Sequence, residues 1–242
     1  MRKFLYMIQK NPRLTQPWPA RWRTHGALGM TRPLWAAIRR YAQHDPIPGW
    51  FHDSRAQHSY DGVGMMHYND VPPAYFGDDQ GVALHRADER RIFTDIVPNC
   101  GLMLEETVLK KGTAPFKVFS LVRCSGDAME AKDEKAWHDY GRTLLAADIG
   151  KAIRALSLSI VLKHEYTQSS RIKCHGLGEF SFDDLEDAAA LFASSEYREI
   201  FEGRTSPFVD EKLIGTRENV FYDLDNGIDE REMMISTYLL RA

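Results

Sequence analysis

The chain has 242 residues, of which 43% are hydrophobic and 27% charged. That length suits one or two domains with a core large enough to fold without disulfides or metal staples, and the apolar fraction excludes a disordered chain. A net charge of −3 from 31 basic and 34 acidic residues provides no basic stripe for nucleic acid, and no apolar run approaches the roughly 18 residues of a membrane span. Three cysteines, Cys100, Cys124 and Cys174, without a CxxC pair fit neither a disulfide framework nor a thiolate zinc site. The apolar N-terminal run from Phe4 to Ile8 is too short for a secretory signal and reads as a strand. A reduced, cytoplasmic protein is expected, with no nucleic-acid or membrane partner.

In chain order, strands are expected near 3–9, 37–44, 60–68 and 100–110. Helices are expected near 15–30 and 72–95. Pro17 and Pro19 suit a helix first turn, and Gly77 or Gly81 would break the second helix. The second half repeats the order, with strands near 115–124, 154–164, 174–182 and 212–223 and helices near 130–150 and 183–202. Asp183 and Asp184 are N-cap candidates for the last helix.

Matching segments recur at one spacing. Trp22-Arg23-Thr24-His25-Gly26 pairs with Trp137-His138-Asp139-Tyr140-Gly141, and Gly62-Val63-Gly64 pairs with Gly176-Leu177-Gly178. A single period of about 114 residues used twice implies duplication rather than a solenoid. The units are 1–112 and 115–224, with a tail over 225–242 that neither explains. Each reads β-α-β-β-α-β, the ferredoxin-like order. The fold class is therefore α+β, with two ferredoxin-like repeats fused into an intramolecular α/β barrel whose sheets bury their bare faces against each other.

These residues resemble the EthD family of dimeric α/β-barrel proteins. The resemblance rests on Trp22–Ala27 in the first helix, Asp61-Gly62-Val63-Gly64 in the third strand, and Ala87-Asp88-Glu89 through Phe93 in the second helix. Ala27 replaces the family's usual proline and Met65 its acid, while the second unit keeps the acid as Glu179. Relatives of that superfamily include cofactor-free cyclases, decarboxylases, dehydratases, isomerases and monooxygenases, so the fold does not fix the reaction.

Histidines are concentrated in the first unit, at His25, His44, His52, His58, His67 and His85, against three in the second. Histidine suits acid–base work because its ordinary pKa lies near 6.5. His25 is the leading general base, with His85 or His67 as its polar partner and Tyr68 or Tyr140 facing a developing oxyanion. Gly62, Gly64, Met66 and Tyr68 share one strand face. That glycine pair either leaves a substrate cavity, walled with Trp22 and Tyr6, or admits the bulk of Trp22 and Trp137 as packing. The polar stretch Phe51–Tyr60 is long enough for a lid or a surface loop. His52, Asp53 and His58 could gather a metal, but neither HExxH nor zinc spacing occurs, and no metal is expected. Gly62–Gly64 lies inside a strand, so it is no phosphate loop.

The expected function is a cofactor-independent acid–base lyase or isomerase acting on a hydrophobic, aromatic or polyketide-like small molecule. A non-catalytic small-molecule-binding accessory protein and a haem-binding duplicated barrel are the alternatives. A homodimer stays open.

Overall fold

A computed structural model describes residues 1–57, 59–68, 80–203 and 206–239. The first half runs β1 (Arg2–Ile8), α1 (Ala20–Met30), β2 (Ile38–Pro46), β3 (Gly62–Tyr68), α2 (Gln80–Ile92) and β4 (Gly101–Lys110). The second runs β5 (Phe116–Cys124), α3 (Ala131–Ala146), β6 (Ala155–Val161), a short α4 (Glu165–Ser169), β7 (Gly176–Phe182), α5 (Leu185–Ala193), α6 (Ser195–Phe201) and β8 (Phe208–Asp223). The tail adds β9 (Ile228–Asp229) and α7 (Arg231–Leu239).

The strands form one antiparallel sheet, ordered β2-β3-β1-β4-β6-β7-β5-β8 and closed by the pairing of β2 with β8. Closure removes the exposed edges that two separate four-stranded sheets would carry. The first strand is buried at every position after Arg2, as a strand with helices on one face and a lumen on the other must be. The residues 69–79, with Gly77, Tyr75 and Phe76, and His58 lie outside the described residues, so the expected start of the second helix is not described.

The last helix of the second half differs from its expected single span. It breaks at Ser194, whose extended backbone ends α5 and whose side chain caps α6 by accepting from the Tyr197 amide. Asp184 caps α5 as its residue type predicts, accepting from the Glu186 amide at 2.7 Å. The tail is not a free appendage. Its α7 packs along α1, with Met234, Ile235 and Tyr238 against the core.

Strand alternation sorts the walls. Gly62 and Gly64 face α1, where a Cβ on the first would meet the Trp22 ring and on the second the Tyr6 ring. Their neighbours Val63, Met65 and His67 therefore face the lumen, opposite Met7, Leu5 and Lys3 of β1. One end of the lumen is apolar. The other is a buried ion lattice. Lys3 bridges Glu106 and Glu179, and Lys117 bridges Glu179 at 3.3 Å and Glu218 at 2.9 Å. Glu218 also meets His44 at 3.0 Å and Arg40 at 2.7 Å. A cavity of about 550 Å³ opens on this polar end.

Candidate active site

The first-half helix layer holds a cluster of titratable groups not committed to the lattice. Helical geometry explains it: Arg21 and His25 are four apart on α1, and His85, Asp88 and Glu89 fall at i, i+3 and i+4 on α2, so each set shares one face. Where the two faces meet, His25 Nδ1 donates to Asp88 at 2.9 Å and Arg21 pairs with the other Asp88 oxygen. The His85 ring stacks on that of His25, centroids 4.2 Å apart and planes 11° from parallel, while Phe93 meets His25 edge-on at 5.1 Å.

Burial and neighbours divide the charges. Burial raises the Asp88 carboxyl, but hydrogen bonds from His25 and Arg21 outweigh it and hold Asp88 at about 2. Burial lowers His25, with Asp88 opposing, and it lowers His85 further, with His25 adding to the effect. Both imidazoles are thus neutral near pH 7. Because Asp88 accepts from Nδ1, the free lone pair of His25 is on Nε2. Burial pushes Glu89 up to about 7. Glu89 is fully buried; the Val97 backbone amide faces it, and no side chain donates to either carboxylate oxygen.

The other expected site residues are placed apart from this group. Trp22 fills the space over Gly62, and Tyr6, over Gly64, shares a 3.1 Å hydrogen bond with the Tyr41 hydroxyl. Of the two readings of the glycine pair, the packing of Trp22 and Tyr6 accounts for the space at both positions. A Cβ on Gly176 would meet Val122 and Met129 first and the Trp137 indole nitrogen at 3.2 Å. The Tyr68 hydroxyl points to Met66 Sδ at 3.8 Å. His67 faces the lumen across the sheet from His25, its Nε2 unpartnered, and burial lowers it to about 4. Tyr140 lies in the other half and donates to Tyr197 at 2.9 Å. The structure thus brings His85 to His25, but not His67 or Tyr140. Asp88 and Glu89 were absent from the expected catalytic set, although their spacing from His85 was there to be read.

The layer of the second half is filled and satisfied. Tyr197 donates to Glu211 at 2.5 Å, Ser120 donates to the same oxygen at 2.5 Å, and Arg55 donates to the other at 2.9 Å. Arg55 comes from the long first-half loop. That loop is neither lid nor free surface: Phe51 is buried in the second-half core and Trp50 covers Gly215.

Two cofactors can be tested against these residues. His25, His85 and Glu89 place potential ligand atoms within 4.8 Å of one another. A metal must lie near the plane of each ligating imidazole, and two rings stacked at 11° send their lone pairs side by side instead of to one point. The arrangement does not fit an ion without one ring turning. Haem would need a histidine facing an open slot between sheet and helices. Tyr6, Trp22, Trp35 and Tyr41 occupy that layer in the first half, and Trp137, Tyr140, Phe180 and Tyr197 in the second. The described residues do not fit a haem.

No protein-family profile and no curated protein matches the chain. Solved structures do. An anthrone oxidase-like protein matches with TM-score 0.54 and 12% identity over 90% of this chain and 92% of its own. A protein provisionally described as a chlorite dismutase matches with TM-score 0.56 and 8% identity over 90% and 94%. One from Fusobacterium nucleatum subsp. nucleatum, provisionally described as a monooxygenase, matches with TM-score 0.53 and 7% identity over 90% and 92%. The likeness is one of fold: a closed antiparallel barrel with helices outside, of the dimeric α/β-barrel type. Among the described residues no helix is long and apolar enough to cross a membrane.

Proposed function

We propose that the protein is an acid–base lyase or isomerase acting on an apolar carbonyl or phenolic small molecule, with His25 as the general base. The tandem halves are read as two EthD-like units, of which the first carries the site. The observation that carries this reading is the buried Asp88–His25 pair. A carboxylate that fixes Nδ1 leaves Nε2 aimed and deprotonated, which is the arrangement a base needs, and such catalysis typically contributes about 10² to 10⁴-fold. Arg21 keeps Asp88 ionised, and Phe93 and His85 confine the ring, so the imidazole is held in one orientation. Apolar walls around the pair favour a hydrophobic substrate.

The test is His25→Ala on a panel of aromatic and polyketide-like carbonyl compounds. Turnover lost with binding retained supports the base. Binding without turnover in the unaltered protein supports an accessory binding protein instead.

A further inference from the structure

The base needs an acid, and beside His25 lies a buried carboxyl to which no side chain donates a hydrogen bond. Glu89 is fully buried; the Val97 backbone amide faces it, and no side chain donates to either oxygen. A buried carboxyl with so little compensation is costly, so a side chain kept in that state calls for an explanation. Glu89 lies one residue from Asp88 yet differs from it in every respect that matters. Asp88 receives two strong donors and is ionised, whereas Glu89 is 3.8 Å from His85 Nδ1, beyond hydrogen-bond reach. The charged and titratable groups facing Glu89 are Arg86, Asp88 and His85 on its own helix, His25 and Arg32 from the α1 side, and Cys100 from the turn Val97–Cys100. The Val97 amide and, less strongly, the two guanidinium groups favour its charge, but burial outweighs them and pushes the carboxyl up to about 7. One of its oxygens and one ring nitrogen each of His25 and His85 fall within 4.8 Å of one another, which is the span of one small functional group.

We infer that Glu89 is the general acid paired with His25, and that the substrate is a β-hydroxy carbonyl compound from which water is eliminated. The inference rests on the reading of His25 as base. In the step, His25 Nε2 takes the proton from the carbon next to the carbonyl. The electrons of that C–H bond form the carbon–carbon double bond, the C–O bond to the hydroxyl breaks, and Glu89 delivers its proton to the departing oxygen. The products are an α,β-unsaturated carbonyl compound and water. The imidazolium then returns its proton to the Glu89 carboxylate through the released water. No oxidant, reductant or metal enters the balance. Two groups whose surroundings drive their proton affinities apart are what an acid–base pair requires.

The experiment uses the full chain and 4-hydroxy-4-phenylbutan-2-one as probe. Loss of water is followed by enone absorbance, and exchange of the α-proton in D₂O is followed by NMR. Glu89→Gln is expected to slow elimination by about 10²-fold or more while α-proton exchange continues. His25→Ala is expected to abolish both. A structural role for Glu89 would lower the two rates together, and that result overturns the assignment, as does a Glu89→Gln protein that eliminates normally. Exchange without elimination in the unaltered protein removes the Glu89 inference but leaves the base. Elimination stopped by a chelator and restored by Zn²⁺ makes Glu89 a ligand and overturns its role as acid. A readout independent of turnover is the infrared band of a protonated carboxyl at pH 6. Its disappearance in Glu89→Gln is expected, and its absence from the unaltered protein overturns the proposal.

Discussion

The two helix layers of this barrel share a frame and differ in how they treat a buried glutamate. In the second half, Glu211 is buried but accepts from Ser120, Tyr197 and Arg55. In the first, Glu89 is equally buried, faces only the Val97 backbone amide and accepts from no described side chain. The first arrangement stabilises; the second is tolerated at a cost. The second half also stacks Trp137 on Tyr140, rings 5.1 Å apart, beside its satisfied glutamate.

The comparison is sharpest under substitution. The largest effect is expected for Glu211→Ala. It strips the acceptor from three buried or half-buried donors, including the Arg55 cation, and should lower unfolding free energy by about 3–5 kcal/mol in a denaturant titration. A loss below about 1 kcal/mol would show that the two glutamates are equivalent after all. Glu89→Gln should act in the opposite direction and depend on pH. An unfolded glutamate titrates near about 4.3, and Glu89 in the folded chain near about 7. Between those values the native state holds a proton that the unfolded state has lost, so stability falls as pH rises through the window. Replacement by a neutral side chain removes that fall. The variant should match the unaltered protein at pH 4.5 and exceed it by about 1–3 kcal/mol at pH 8; a variant less stable at pH 8 would break the contrast. The smallest effect is expected for Tyr140→Phe. It removes one hydroxyl from the end of the Tyr197–Glu211 chain and should cost about 1 kcal/mol by thermal or denaturant unfolding, with turnover unchanged because Tyr140 lies in the other half.

Particular residues show what could be read in advance. The segments around Trp22 and Gly62 carried the packing of that tryptophan against its strand, because a large ring over a glycine is a local device. His25 with His85 was also legible, as residues on two helices that pack on one sheet. His67 was not separable from them by sequence. Strand alternation says that it faces away from Gly62 and Gly64, but only the closed barrel says that the other face is an ion lattice. Tyr140 matched His25 by position, yet the break at Ser194 swings α6 in so that Tyr197 takes its hydroxyl.

The sequence by itself determined the order of the eight barrel strands, the alternation that gives each strand two faces, and the i, i+3, i+4 grouping of His85, Asp88 and Glu89, since these follow from periodicities of 2 and 3.6 residues. The tertiary structure alone decided which of those groups acquire partners. Arg55 reaches Glu211 across 156 residues and Lys3 reaches Glu179 across 176, and no local pattern encodes such contacts. Proton affinity depends on burial and on the nearest charges. The difference between an ionised Asp88 and a protonated Glu89, side by side in sequence, is therefore set by packing rather than by residue type.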